Sequence, residues 1–240
     1  GEGVSGGDSS SVASSINSGV IEIFSTLSAY AALKSDGSVI TWGDSNMGGN
    51  SSSVSTALGS GVKEIFHTDG AFAALKSDGS VVTWGGSSQY FGGDSSTVSS
   101  SINSGVIEIF STQRAFAALK SDGSVITWGG LNGQIFGNNS SSVANSINSG
   151  VIDISSNQRA FAALKSDGSV ITWGDSFYGG NSSSVASSIN SGVIKIFPGA
   201  IGAFAALKSN GSLVTWGNSD YGGDSSSVSS DLSSGVTQVF

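Results

Sequence analysis

The 240-residue chain has no cysteine, which excludes disulfides, thiolate metal sites and cysteine nucleophiles. It has one histidine, His67, so a histidine metal centre or a Ser-His-Asp triad has a single residue to start from, and a loop-surface position is expected for it. Basic residues are scarce: nine against seventeen acidic ones give a net charge of −8, and only Arg114 and Arg159 are arginines. No basic stripe is available to neutralise phosphates, so nucleic acid is not an expected partner and acidic membranes are disfavoured. Uninterrupted apolar runs stop at about five residues, against the roughly 20 a spanning helix needs, so no membrane insertion is expected. No secretory leader pattern is visible. Helix signals are nearly absent and 36 glycines make the composition turn-rich, leaving at most a single helical turn near Ser11 to Ile16 and its equivalents. The chain opens at Gly1 in mid-repeat, the expectation for a processed or excised fragment.

What the chain does have is one fifteen-residue phrase written five times. Ala115 to Gly129 reads AFAALKSDGSVITWG, with near-copies at 29–43, 71–85, 160–174 and 203–217. In each, two apolar, β-branched runs meet at Asp-Gly, or at Asn210-Gly211 in the fifth copy. Asp-Gly suits a two-residue type I′ turn. That turn would set Lys120 against Val125, Ala117 against Trp128 and Phe116 against Gly129, so that large residues meet small ones across the hairpin. Both hairpin faces are largely apolar. A lone hairpin cannot cover both, so the units must pack on one another. Trp42, Trp84, Trp128, Trp173 and Trp216 are spaced by 42, 44, 45 and 43 residues, a period that fits the blades of a β-propeller. The expected fold is therefore all-β, a propeller of four-stranded blades, organised as a single repeat domain over 1–240.

Between hairpins the order is constant: an SGVxxIF strand, a loop, the hairpin, a second loop, then GG(D/N)SSSV and a polar connector. There are five hairpins but six SGV segments, beginning at Ser18, Ser60, Ser104, Ser149, Ser191 and Ser234, because segments 6–24 and 222–240 are copies of each other. This surplus fits a piece of a longer ring or array, and it allows self-association through the end strands.

If the strands alternate in direction, the loops after SGVxxIF and after TWG lie at one end of every blade. These are the loops that differ between repeats. The first set reads STLS, HTDG, STQR, SNQR and PGAIG; the second reads DSNM, GSSQYF, GLNGQIF, DSFY and NSDY. The Asp-Gly turns at the other end hardly vary. Aromatic and Arg side chains in variable loops are the usual anchors of an interface. The candidate binding residues are accordingly Tyr90, Phe91, Gln113, Arg114, Gln158, Arg159, Phe177, Tyr178, His67 and Asp69. Tyr178 and Tyr221 also sit where packing is expected.

The carboxylates read as structural. Asp36, Asp78, Asp122 and Asp167 belong to turns. Asp8, Asp94 and Asp224 alternate with Asn50, Asn139 and Asn181 at one position, as an Asx turn permits and an ionised catalytic carboxylate does not. Asp44 with Asp175 is the one pair to consider for glycoside hydrolysis. Lys34, Lys76, Lys120, Lys165 and Lys208 recur beside the turn, where solvated strand ends or edge protection are expected. No catalytic residue, metal site or cofactor is expected.

The unit SGVxxIF…AFAALKSDGSVITWGxxxYGG resembles the repeat of the regulator of chromosome condensation family, with its ALxxDG turn followed by WG and YG pairs. Its phrasing is particularly similar to that of the bacterial propeller-type beta-lactamase inhibitors. The resemblance covers the chain and implies a propeller, usually of seven blades, that binds proteins through loops on one face. This chain departs from it in showing five hairpins, in a Ser-rich GG(D/N)SSSV segment, and in lacking the basic DNA contacts and the exchange-factor surface of the nuclear member. The expected function is non-enzymatic: recognition of a protein or glycan through the variable loops, in a secreted or cell-surface bacterial setting that the acidic, Ser-rich composition suits. The alternatives are a structural module of a surface layer or filament, and a protein inhibitor of a secreted enzyme.

Overall fold

The computed structural model describes residues 7–86, 90–130 and 136–239. Each of five repeats forms one three-stranded antiparallel sheet in sequence order. The strands are β1 (Val20–Ser25), β2 (Ala29–Lys34) and β3 (Val39–Gly43) in repeat 1, and β4 (Val62–His67), β5 (Ala71–Lys76) and β6 (Val81–Gly85) in repeat 2. Repeat 3 has β7 (Val106–Ser111), β8 (Ala115–Lys120) and β9 (Val125–Gly129); repeat 4 has β10 (Val151–Ser156), β11 (Ala160–Lys165) and β12 (Val170–Gly174). Repeat 5 has β13 (Val193–Pro198), β14 (Ala203–Lys208) and β15 (Leu213–Gly217).

The expectation of four strands per blade is corrected to three. Where a fourth strand would run, the GG(D/N)SSSV segments form single turns of 3-10 helix, as at Ser52–Val54 and Ser183–Val185. The reason is local. The Asx side chain accepts the amide of the residue two further on, Asn50 from Ser52 at 3.0 Å and Asp94 from Ser96 at 2.9 Å, which curls a segment that would otherwise extend. Among the described residues α-helix is confined to Ala13–Ile16 and Ala186–Ile189, the position expected for a helical turn.

The hairpin register is also corrected, by one residue. In the copy identical to 115–129, Phe161 pairs with Trp173 and Leu164 with Val170, leaving a loop of three residues and not two. The Gly168 amide donates to the Lys165 carbonyl and the Lys165 amide to the Ser169 carbonyl, both at 2.9 Å, so a type I turn is followed by a left-handed glycine, Gly168 at φ +78. The serine after the glycine selects this loop. Asp167 Oδ1 accepts both the Ser169 amide at 2.9 Å and its hydroxyl at 2.6 Å. A one-residue slip re-pairs every side chain. The two largest rings now face each other, Phe161 on Trp173 at 5.2 Å and 20°, and the same stack recurs in all five repeats.

The chain divides into two compact units, one holding residues 7–120 and 126–130, the other 121–125 and 136–239. Within each, repeats pack face to face in one fixed manner. Ala29, Ala31, Leu33 and Val39 of repeat 1 meet Leu58, Val62, Ile65, Phe72 and Trp84 of repeat 2. Ala71, Ala73 and Leu75 of repeat 2 meet Ile102, Val106, Ile109, Phe116 and Trp128 of repeat 3. In the second unit Ala160, Ala162, Leu164 and Val170 of repeat 4 meet Ile189, Val193, Ile196, Phe204 and Trp216 of repeat 5. Small alanines on the leading face let the large Ile, Phe and Trp of the following repeat close to contact, the alternation of small and large that dense packing requires.

A polar clip accompanies each apolar contact. The Trp84, Trp128 and Trp216 indoles donate to the carbonyls of Gly48, Gly92 and Gly179 in the preceding repeat, at 3.1, 3.1 and 3.0 Å. The recurrent lysines are likewise clips, a correction to their reading as solvated strand ends. Lys34, Lys76, Lys120 and Lys165 each donate Nζ to a connector carbonyl nineteen residues upstream, on Ser15, Ala57, Ser101 and Ser146, at 2.8 to 3.0 Å. Lys208 does the same to Ser188.

Candidate recognition face

With three antiparallel strands per sheet, the loop after the first strand and the loop after the third leave from the same end, and the Asp-Gly turn closes the other. Hydrogen bonds tie the two variable loops of each repeat together. Thr26 Oγ1 donates to the Met47 carbonyl at 2.9 Å, Thr68 Oγ1 to Phe91 at 2.7 Å, and Asn157 Nδ2 to Tyr178 at 2.8 Å. Thr68, Thr112 and Asn157 are buried, and each also accepts the amide of the first residue of the next strand. These residues were not among the sequence candidates. Their signal was a Thr or Asn at the second place of four of the five first loops.

In the first unit, the first loops of successive repeats are linked through backbone. Leu27 N donates to the Asp69 carbonyl at 2.9 Å and Asp69 N to the Gln113 carbonyl at 2.8 Å. Burial pushes the Asp69 carboxyl above its ordinary range, against the opposing pull of Arg114 and His67. His67 itself is the exposed last residue of β4, opposite Phe72, and so belongs to a strand end and not to the loop. The Arg114 guanidinium lies over the Phe91 ring at 5.4 Å. Tyr90, beside Phe91, is 46% exposed.

In the second unit, Arg159 lies over two rings, Phe136 at 5.1 Å and Tyr178 at 4.8 Å, and its Nη1 is 3.8 Å from Asp175 Oδ2. Phe177 stands edge-on to Tyr178 at 5.9 Å and is 61% exposed, while Gln158, next to Arg159, is partly exposed. The structure thus gathers Gln158, Arg159, Phe177 and Tyr178, and adds Phe136 and Asp175.

A rule underlies both arginines. In repeats 2 to 5 the residue before the AFAALK strand lies against second-loop side chains. A Cβ on Gly70 would lie 2.8 Å from both Met47 and Phe91, and one on Gly202 would lie 3.1 Å from Tyr178. At the same place Arg114 and Arg159 reach out over the rings. Two repeats therefore present a cation stacked on aromatics where their neighbours present a glycine. Cation–π contacts of this kind hold a guanidinium in place and leave its edge for a ligand.

The carboxylates of Asp44 and Asp175 also act on their own backbone. Asp44 Oδ1 accepts the Asn46 amide at 2.8 Å and Asp175 Oδ1 the Phe177 amide at 2.9 Å, each capping a 3-10 turn. Among the described residues no cluster of three His, Asp or Glu side chains is placed to hold a metal ion. No helix of the described residues is long and apolar enough to cross a membrane.

No family model and no curated protein matches the sequence. Among solved structures the chain is similar to yeast RCC1 (Prp20) in its complex with Kap60, at 18% identity and a TM-score of 0.52, over 84% of this chain and 56% of that one. It is similar to a second structure, Prp20p of Saccharomyces cerevisiae, at 16% identity and a TM-score of 0.51, over 84% of this chain and 57% of that one. The chain thus spans little more than half the length of either. These likenesses show the fold.

Proposed function

We propose that this chain, an RCC1-like repeat β-propeller in fold, is a non-enzymatic module that recognises a protein through the variable-loop end of its sheets. The observation that carries the reading is the pair of arginines stacked on second-loop aromatics, Arg114 on Phe91 and Arg159 on Phe136 and Tyr178, beside the exposed rings of Tyr90 and Phe177. Arg and aromatic side chains on a preorganised frame are what interface anchors consist of. The invariant turns at the opposite end offer no comparable group. The yeast structures supply a parallel: one is of RCC1 bound to Kap60, and the other is described with its binding to Gsp1p and histones. A secreted or cell-surface setting is part of this proposal and rests on the acidic, lysine-poor composition. A glycan target, or a secreted enzyme that the chain inhibits, would use the same face.

The test is capture from the source organism's extract by this chain and by a variant whose ten variable loops are replaced by one repeated pair. A partner retained by the natural chain alone supports recognition by the loops; identical capture by both contradicts it.

A further inference from the structure

The Arg159 guanidinium donates no hydrogen bond to the described residues. Its Nε is buried without an acceptor, and Asp175 Oδ2 stands 3.8 Å from Nη1, outside hydrogen-bonding distance. The other oxygen of that carboxylate is already engaged, accepting the Phe177 amide at 2.9 Å. The guanidinium is nevertheless held in place, its carbon 5.1 Å from the centre of the Phe136 ring and 4.8 Å from that of Tyr178. The side chain is 35% exposed, so a group from outside can reach it.

The fold does not require an arginine here. The same place holds Ser28, Gly70 and Gly202 in repeats 1, 2 and 5. At Gly202 the backbone itself comes against Tyr178, since an added Cβ would lie 3.1 Å from that ring. A buried N–H without an acceptor is unfavourable. Arg159 therefore carries a cost that these counterparts do not, and an acceptor brought from outside the chain would recover it.

The surroundings select the acceptor. A guanidinium stacked on rings offers its N–H fork edge-on, the geometry that matches a planar carboxylate. Phosphate fits less well, because it brings up to two charges to a guanidinium that already has Asp175 at 3.8 Å, in a chain of net charge −8. Beside the fork stands Phe177, 61% exposed and edge-on to Tyr178, an apolar surface for the group that carries the carboxylate.

We propose that Arg159 takes a single carboxylate of the protein partner through its N–H fork, with an adjoining apolar side chain of the partner seated on Phe177. This rests on the reading of the variable-loop end as a recognition surface. The carboxylate belongs either to an acidic side chain or to a chain terminus.

NMR titration of the full chain tests it, reading the Arg159 Nε–H and the Phe177 amide. The probes are acetate, N-acetylphenylalanine, whose carboxylate is a chain terminus, and a capped phenylalanyl-glutamate amide, whose carboxylate is a side chain. The corresponding neutral amides and inorganic phosphate are the controls. Both resonances move saturably with the acids, and the better ring-bearing acid binds about tenfold tighter than acetate or more. Whichever ring-bearing acid binds tighter names the source. The neutral amides cause no shift, and phosphate binds no tighter than acetate. Arg159→Lys, which keeps the charge without the fork, loses the binding seen at the Phe177 amide. Asp175→Asn keeps the turn, as Asn218 does at the equivalent place by accepting the Asp220 amide at 2.8 Å, but removes the competing charge. It therefore tightens binding about two- to fivefold, a gain that damaged folding does not produce.

The absence of a shift with every acid overturns the proposal, as do shifts with the neutral amides, tighter binding of phosphate, or ring-bearing acids that bind no better than acetate. Undiminished binding in Arg159→Lys, or unchanged or weaker binding in Asp175→Asn, also overturns it. A partner whose capture needs the variable loops but survives Arg159→Lys sinks this inference alone. Identical capture by the natural and loop-replaced chains sinks the recognition reading as well.

Discussion

Trp216 donates its indole N–H to the Gly179 carbonyl at 3.0 Å, and the Cβ that Gly179 lacks would lie 2.8 Å from the ring of Phe204, on which Trp216 stacks. The glycine is fixed by two demands at once, a left-handed φ of +89 and a flat surface for the next repeat's ring. Gly222 has the first demand, at φ +94, without the second.

That pair yields a stability prediction. Replacing Gly222 by alanine meets only the backbone penalty of a left-handed residue, about 1–2 kcal/mol. Gly179→Ala meets the same penalty and also forces the ring away. It should therefore cost at least about 1 kcal/mol more, in the range of an overpacked core. Urea unfolding of the two variants checks the difference.

A second prediction concerns the lysine clips. Lys76→Met keeps the aliphatic stem but removes the charged donor to the Ala57 carbonyl. It should destabilise by about 1.5–3 kcal/mol, the worth of a hydrogen bond to a charged group. Lys63→Met, at an exposed position, should change stability by less than about 0.5 kcal/mol. Denaturant midpoints decide it.

A third follows from the turns. Asp36, Asp78 and Asp167 are held below their ordinary value of 3.8 by the serine hydroxyl first and the serine amide second. A carboxylate with a depressed folded pKa stabilises the fold above the unfolded value, and that contribution is lost as pH falls from 3.8 through the folded value. Stability should therefore drop on acidification in that window. Asn210 makes the same two bonds without titrating, so changing the three aspartates to asparagine should flatten the drop. Thermal melts from pH 6 to pH 2.5 check it.

A fourth separates anchoring from folding on the candidate face. Arg159→Ala and Phe177→Ala should each weaken partner binding about tenfold or more, as interface anchors do. Phe177 is 61% exposed, so its loss should leave the melting temperature unchanged, whereas Arg159 packs on two rings and should lower it slightly.

Much of this was legible in the sequence, because a phrase written five times shows which positions the fold holds constant. The hairpins, the tryptophan period and the end that carries the variable loops all follow from alternation and repetition. The register did not, because Asp-Gly alone does not distinguish a two-residue loop from the last two places of a three-residue one. The serine after Gly168, which bonds Asp167, carried that information. The lysine clips were hidden for another reason. Their acceptors are backbone carbonyls nineteen or twenty residues upstream, and no side-chain pattern marks a carbonyl. Arg114 and Arg159 were visible as candidates, but their partners Phe91, Phe136 and Tyr178 emerged only once the loops were placed.

The most direct test of the central claim puts a photocrosslinking side chain at Phe177, at the variable-loop end, and in a second protein at Asp167, at the turn end of the same repeat. If the loops are the recognition surface, a partner is crosslinked from position 177 and not from 167. Crosslinking from 167 alone, or equally from both, would contradict it.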